Sequence, residues 1–215
     1  MELTIYTAIT AGKDELRPPI ASRPEVRYIA FMDDPVPVKG WEVRPAETRF
    51  ADPCLNAKAH KIWPHLYVNT PVTLWVDGTH LPTDCFLDLV PFLLHRADIA
   101  VFAHPWRNCI YAEGEVCCDL FLDSPIKIQQ QLSFYRVRGY PPHSGLFATG
   151  VVLRRDTPVN RRLSWMWWRQ IRKYSRRDQI SFPFVLWQLD IRPALSLVTF
   201  IRHPGLCTNP IGGKK

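Results

Sequence analysis

Four stretches of the chain run almost without interruption through apolar and β-branched residues: LTIYTAIT (3–10), VRYIAFMDD (26–34), VTLWVDG (72–78) and DIAVFAHP (98–105). Runs of this kind predict strands covered on both faces, as in parallel sheets. The intervening segments change period. In ADPCLNAKAHKIWPHLYV, residues Leu55, Ala59, Ile62 and Leu66 recur at helical spacing, and Pro64 must end or kink the helix. FLDLVPFLLHRA reads as a short helix interrupted by Pro91. Strands alternating with helices predict βαβ units with right-handed crossovers. The expected architecture is a single α/β domain over residues 1–215, with a mostly parallel central sheet flanked by helices.

The second half has a different rhythm. Helices are expected around residues 115–120 and over IKIQQQLSFYRVRG (126–139), followed by a turn at YPPHSG. LFATGVVLRR (146–155) reads as a strand with Gly150 inside it. RRLSWMWWRQIRKYSRR is a basic, tryptophan-rich helix with Leu163, Trp167, Ile171 and Tyr174 on one face. DQISFPFVLWQL supplies a further helix, and LSLVTFI closes the fold as a strand. No repeat or low-complexity tract interrupts the pattern.

Composition narrows the class. An apolar share of 47% and a charged share of 22% are those of a globular chain. No stretch reaches the roughly 20 apolar residues of a membrane helix, and MELTIYTAIT has no basic n-region or apolar core of a secretory signal. A cytoplasmic or other intracellular location is the default expectation, although a domain cut from a longer precursor would look the same. The six cysteines lack CxxC pairing, which suits neither a zinc knuckle nor a disulfide framework, so reduced, mostly buried thiols are expected. A formal net charge of +7, concentrated between Arg154 and Arg177, fits an anionic partner.

In parallel sheets, ligands gather at the carboxyl ends of the strands. Those ends here carry Thr7-Ala8, Asp33-Asp34, Asp77-Gly78-Thr79 and His104-Pro105. Asp77 could hold a divalent cation against a diphosphate, or it could stabilise a turn with Gly78. Asp33 could face a ribose or base, or serve its own turn. Lys58 and Lys61 share a helix face and matter only if that face points at the strand ends. In HPWRNCIYAEGE (104–115), Arg107 could bind phosphate and Glu113 or Glu115 a hydroxyl, or these groups could form a structural salt-bridge cluster. In SRRDQISF (175–182), Ser175 or Asp178 could cap a helix. Alternatively, Asp178 and Gln179 face a substrate, with Arg176 and Arg177 near phosphate. The Trp165, Trp167, Trp168 cluster reads as core before it reads as a stacking platform.

Taken in order, YTAITAGKDEL, YIAFMDD, KAHKIWPHLY, WVDGTHLP, HPWRNCIYAEGE, GLFATGVVLRR and WWRQIRKYSRRDQISFPFVLW resemble one family, from about Leu3 to Leu189. It is the glycosyltransferase-like family formerly catalogued as a domain of unknown function, DUF616, whose plant members are named for roles in mucilage or turgor. WVDGT and SRRDQISFP are its most specific segments. The resemblance implies a GT-A-like fold and transfer of a sugar from a nucleotide diphosphate sugar to an unidentified acceptor, which the basic charge suggests is anionic. It implies donor contacts from Thr7, Ala8, Asp33, Lys58, Lys61, Asp77, Gly78, Arg107, Gly150 and Arg177, and catalytic roles for Asp178, Gln179 and Glu113. GT-A enzymes hold Mn²⁺ or Mg²⁺ on a DxD motif, whereas Asp77-Gly78-Thr79 offers one carboxylate. Either Thr79 and a third group such as His203 complete a metal site with Asp77, or lysines and arginines bind the diphosphate without metal. Gly150 would let the donor sugar approach its strand closely.

Two other readings compete. A basic, Trp-rich binding protein would hold nucleic acid or glycan without turnover, with steep salt dependence and no metal requirement. A hydrolase using the same acids would act without any nucleotide sugar.

Overall fold

The computed structural model describes residues 1–21, 23–196 and 207–208. A seven-stranded sheet runs through it in the order β3-β2-β1-β4-β7-β6-β8. Its strands are β1 (Leu3–Ile9), β2 (Val26–Met32), β3 (Glu42–Pro45), β4 (Val72–Val76), β6 (Ile99–Ala103), β7 (Phe147–Arg155) and β8 (Ala194–Ser196). The pairings β2-β3, β1-β2, β1-β4 and β6-β8 are parallel, and β7 runs antiparallel between β4 and β6. The α/β expectation with a mostly parallel sheet therefore holds, with one reversed strand at its centre. A separate two-stranded ribbon joins β5 (Leu81–Pro82) to β9 (Cys207–Thr208).

Every residue of β1 and β4 is buried, which explains why their sequences carry no polar alternation. Successive side chains of β1 enter opposite cores. Ile5 and Ile9 join Leu74 and Val76 under α3 (Asp84–Arg96), which contributes Phe86, Leu87, Val90, Leu93 and Leu94. Tyr6 and Ala8 join Trp75 and Val152 on the other face. That face is covered by α1 (Pro53–Ile62), α4 (Ile110–Asp119), α5 (Pro125–Val137), α6 (Pro158–Lys173) and α7 (Asp178–Gln188).

The prolines behave in two ways. Before Pro64, α1 stops at Ile62, and a single further turn, α2 (Pro64–Tyr67), follows. Pro91, expected to interrupt its helix, lies inside an unbroken α3, and Pro183 lies inside α7. Pro91 is exposed, so water can satisfy the carbonyl its ring releases. Two other boundaries move. Helix α4 begins at Ile110, so Glu113 sits in its first turn and not in a loop. Helix α6 ends at Lys173, leaving Ser175 to Arg177 as a connection. Of LSLVTFI, only the start falls among the described residues, in β8. Cys54, Cys85, Cys109, Cys117 and Cys118 are free thiols, but only Cys109 and Cys117 are buried; Cys54 and Cys118 are half-buried and Cys85 is exposed.

Trp167 locks α6 to α7. It is fully buried, packs against Phe182 with ring centroids 4.5 Å apart and planes tilted by 46°, and donates its Nε1 hydrogen to the Asp178 carbonyl at 3.2 Å. Replacing Trp167 by alanine should lower unfolding free energy by about 3–5 kcal/mol, read as a shift of the urea midpoint. A loss under 1 kcal/mol would show that this joint is not part of the cooperative core.

Candidate active site

Asp178 opens α7, yet its carboxylate does not cap that helix. The N-cap is Arg177, with no side-chain bond to the helix amides. Asp178 Oδ1 instead meets Lys58 Nζ at 2.8 Å, and Oδ2 meets Lys61 Nζ at 2.6 Å and accepts from Thr149 Oγ1 at 3.1 Å. Burial by itself would raise the Asp178 pKa, but the two ammonium groups win and hold the carboxyl far below its usual range. The capping alternative thus fails on geometry. Ser175 is also not a cap for α7: its hydroxyl accepts from the Arg177 amide and donates to Asp123.

Lys61 reaches this point because its helix ends beneath the sheet. The last carbonyls of a helix lack partners within it. That of Lys61 accepts from Tyr6 Oη at 3.0 Å and from the buried Arg154 guanidinium. Lys61 also stands 3.6 Å from Asp77 Oδ1, so one ammonium spans two carboxylates. Asp77 follows β4 directly, and its Oδ1 accepts from Trp75 Nε1 at 2.7 Å. Its amide donates to the Gly150 carbonyl on β7 at 2.8 Å, and its carbonyl accepts from His80. A Cβ on Gly150 would stand 3.1 Å from His80 Cε1 and 3.2 Å from Asp77 Oδ2. Any larger residue would therefore press on His80 and Asp77, and glycine leaves them room as β7 passes beneath. Burial, with help from Lys61, lowers the His80 pKa against the opposing pull of Asp77 and Asp14.

Around these residues lie two clefts, of about 530 and 570 Å³. Both contain Lys13, Cys54, Lys58, Lys61 and Asp77. The first also receives Arg107, Glu113, Gly150, Arg176, Arg177, Asp178 and Gln179, and the second Ala8, Asp14, Gly78 and Thr79. Most sequence candidates are thus brought together. Thr7 is not, since its side chain is buried inside the sheet. Asp33 is not among the lining residues either. Its Oδ2 accepts from the Ala11 amide at 2.6 Å and so braces the turn after β1, where Ala11 and Gly12 both have positive φ. That turn places Lys13 and Asp14 in the clefts. The sequence reading missed both, along with His80, although a lysine one residue after a glycine at a strand end was a usable signal.

The remaining polar groups are paired. Glu113 accepts from Arg107 Nε at 2.7 Å and lies 3.8 Å from His104 Nε2. His104 Nδ1 accepts from the Arg107 amide at 3.1 Å. Burial lowers the His104 pKa more than Glu113 restores it. Arg176 Nη1 binds Asp52 Oδ2 at 2.6 Å, and Asp52 also caps α1, so Arg176 is a strut between helices. Gln179 donates to the Phe147 carbonyl and accepts from Arg177.

Of the expected metal set, Asp77 and Thr79 fall among the described residues. His203 lies outside them, Thr79 Oγ1 contacts His80 Nδ1 at 3.1 Å, and no three His, Cys, Asp or Glu groups converge among those described.

The fold and site define an α/β domain with a mixed-charge cleft where β1, β4 and β7 meet. Residues 38–203 match the TOD1/MUCI70 glycosyltransferase-like domain, and the chain belongs to that family. It is 29% identical over 147 residues to the probable hexosyltransferase MUCI70 of Arabidopsis thaliana, a match covering 63% of this chain and 25% of the relative. Solved structures with similarity include WbbM, a bifunctional glycosyltransferase (TM-score 0.48, 10% identity, 92% of this chain and 38% of that one). Others are the glycosyltransferase GlyE of Streptococcus pneumoniae (0.45, 12%, 93% and 45%) and mouse xyloside xylosyltransferase 1 (0.46, 9%, 93% and 85%).

Asp178→Asn should cost about 3–5 kcal/mol of stability, because it removes the carboxylate that pairs with both Lys58 and the buried Lys61; loss of a cap would cost only about 1. Adding Lys61→Met should recover part of that loss. The depressed pKa has a definite sign: Asp178 stabilises the fold above the unfolded carboxyl value of about 3.9, and this stability drains as pH falls below it. Urea midpoints of parent and Asp178→Asn, taken at pH 7 and below pH 4, should therefore converge on acidification. A constant gap would remove the buried triad from the account.

Proposed function

We propose that the domain transfers a hexosyl group from a nucleoside diphosphate sugar to an acceptor hydroxyl. The observation that carries this reading is the meeting of two ligand-sized clefts at Lys13, Lys58, Lys61 and Asp77. The nucleoside lies in the cleft beside the end of β1, with Ala8, Thr10 and Gly78. Its diphosphate crosses the lysines, and the sugar enters the cleft lined by Gly150, Arg107 and Gln179. The family membership and the name of the plant relative support transfer of a hexose.

The chemistry follows from charge. In transfer, the bond from the anomeric carbon to the diphosphate oxygen breaks, and an acceptor oxygen bonds that carbon and passes its proton to solvent water. Negative charge grows on the leaving oxygen, where Lys13, Lys58 and Lys61 oppose it in a partly desolvated site. Positive charge grows at the sugar ring. Asp77 is the carboxylate placed to meet it, because its side chain is 44% exposed against 8% for Asp178 and 4% for Glu113. Asp178 acts as a positioning residue that fixes both lysines, and Glu113 fixes Arg107. Mn²⁺ or Mg²⁺ would have to enter at Asp77 and His80 with substrate oxygens completing its shell, and the described side chains do not build that site by themselves.

Lys13 is the cleanest probe, since it is exposed and makes no ion pair among the described residues. Lys13→Ala should weaken binding of a nucleoside diphosphate such as UDP or GDP roughly tenfold or more, measured calorimetrically, while leaving the thermal midpoint unchanged. Asp77→Asn should lower turnover of a nucleotide sugar by far more than it lowers nucleotide affinity. If no nucleoside diphosphate binds at millimolar concentration, the transferase reading is wrong.

A further inference from the structure

Helix α6 contains no acidic residue, and its solvent face is built on one pattern. Arg162, Trp165, Arg169, Arg172 and Lys173 follow one another at helical spacing, opposite the buried Leu163, Trp167 and Ile171. Among the described residues, no carboxylate lies within ion-pair distance of Arg162, Arg169, Arg172 or Lys173, whereas Arg161 is held by Asp156 at 2.6 Å. The aromatic rings are used as supports. The Arg169 guanidinium lies 4.6 Å from the ring of Trp165, which is itself 51% exposed. That of Arg172 lies 4.7 Å from Phe50, and Phe50 in turn packs on Trp168 at 5.5 Å. Stacking of this kind fixes the cations in place and lowers the entropy lost when an anion is bound.

The strip leads into the cleft. Between Arg162 and Lys173 it is roughly 16 Å long at the rise of an α-helix. Phe50, under Arg172, is two residues from Asp52, which binds Arg176, and Arg176 lines the cleft with Arg177.

We propose that this face of α6 is a docking track for an anionic polysaccharide, the extension of the acceptor whose end enters the cleft. The proposal rests on the transferase reading for the identity of that end. Four unpaired cations call for a polyanion, and continuity with the cleft selects a glycan. An interfacial membrane helix would need an exposed apolar face, and here that face is buried in the core. Single-stranded nucleic acid is held by successive exposed rings, and Trp165 is the one ring of α6 exposed by more than half.

The test is a binding titration of the whole chain with alginate as a polycarboxylated glycan and dextran as its neutral counterpart, at low salt. Alginate should bind and dextran should not, and raising salt to about 0.5 M should abolish the interaction. The triple variant R162Q/R169Q/R172Q, which keeps much of each side-chain stem, should bind alginate roughly tenfold or more weakly. Its UDP affinity and thermal midpoint should match the parent. Failure of alginate to bind, or undiminished binding by the triple variant, overturns the proposal. Tighter binding of a single-stranded oligonucleotide of equal charge, or of anionic lipid vesicles, overturns it too by naming a different partner. If alginate binding depends on the three arginines but UDP does not bind at all, the docking surface stands and the transferase reading falls.

Discussion

A carboxylate placed in a nearly dry interior must find positive charge or lose its own, and Asp178 finds two ammonium groups. This one constraint ties together elements far apart in the chain. Lys58 and Lys61 come from α1, Thr149 from β7 and Asp178 from α7, so the triad closes only when all three elements have docked on the sheet. Such a buried ion set is a weak source of net stability, because desolvation consumes most of the attraction. What it provides is fixed geometry. Two lysines that would otherwise sample many rotamers are held at the floor of a cleft.

The same lysines link structure to chemistry. Lys61 lies between Asp178 and Asp77, and its carbonyl is gripped from below by Tyr6 and Arg154. Its ammonium is thus positioned by bonds at both ends of the residue. The reversal of β7 in a parallel sheet has a matching consequence. It brings Gly150 beneath Asp77 and His80, and the missing side chain leaves room for them. A parallel strand at this position would have put its carboxyl end beside the lysine pair, whereas the reversed β7 puts its amino end, with Thr149 and Gly150, there.

The arginines beside Asp178 divide the work differently from their sequence symmetry. Arg176 is tied to Asp52 and lies near Asp123, which makes it a brace between α1 and the α6–α7 connection. Arg177 turns inward toward Gln179 and the Glu113–Cys117 side of the cleft. Adjacent residues in an extended connection point to opposite sides. One therefore serves the frame and the other the site.

By itself the sequence determined the sheet, since uninterrupted apolar strands can be stable only when buried on both faces, and it determined which acids stand at strand ends. Lys58, Lys61, Asp77 and Asp178 were legible as candidates from position, and Gly150 through the family resemblance. Their partners were not. A carboxylate one residue into a helix looks the same in sequence whether it caps that helix or reaches across to another, because the choice depends on what the opposite helix places within 3 Å. Asp33 shows the converse: its strand-end position matched the ligand pattern, but its carboxylate accepts from the Ala11 amide and braces the turn after β1. Lys13 and His80 entered the site only through a turn and a close strand crossing. Local spacing fixes periodicity and direction, whereas distances between remote residues are settled when the two faces of the sheet are packed. Which charges meet, and therefore which can act, was decided there.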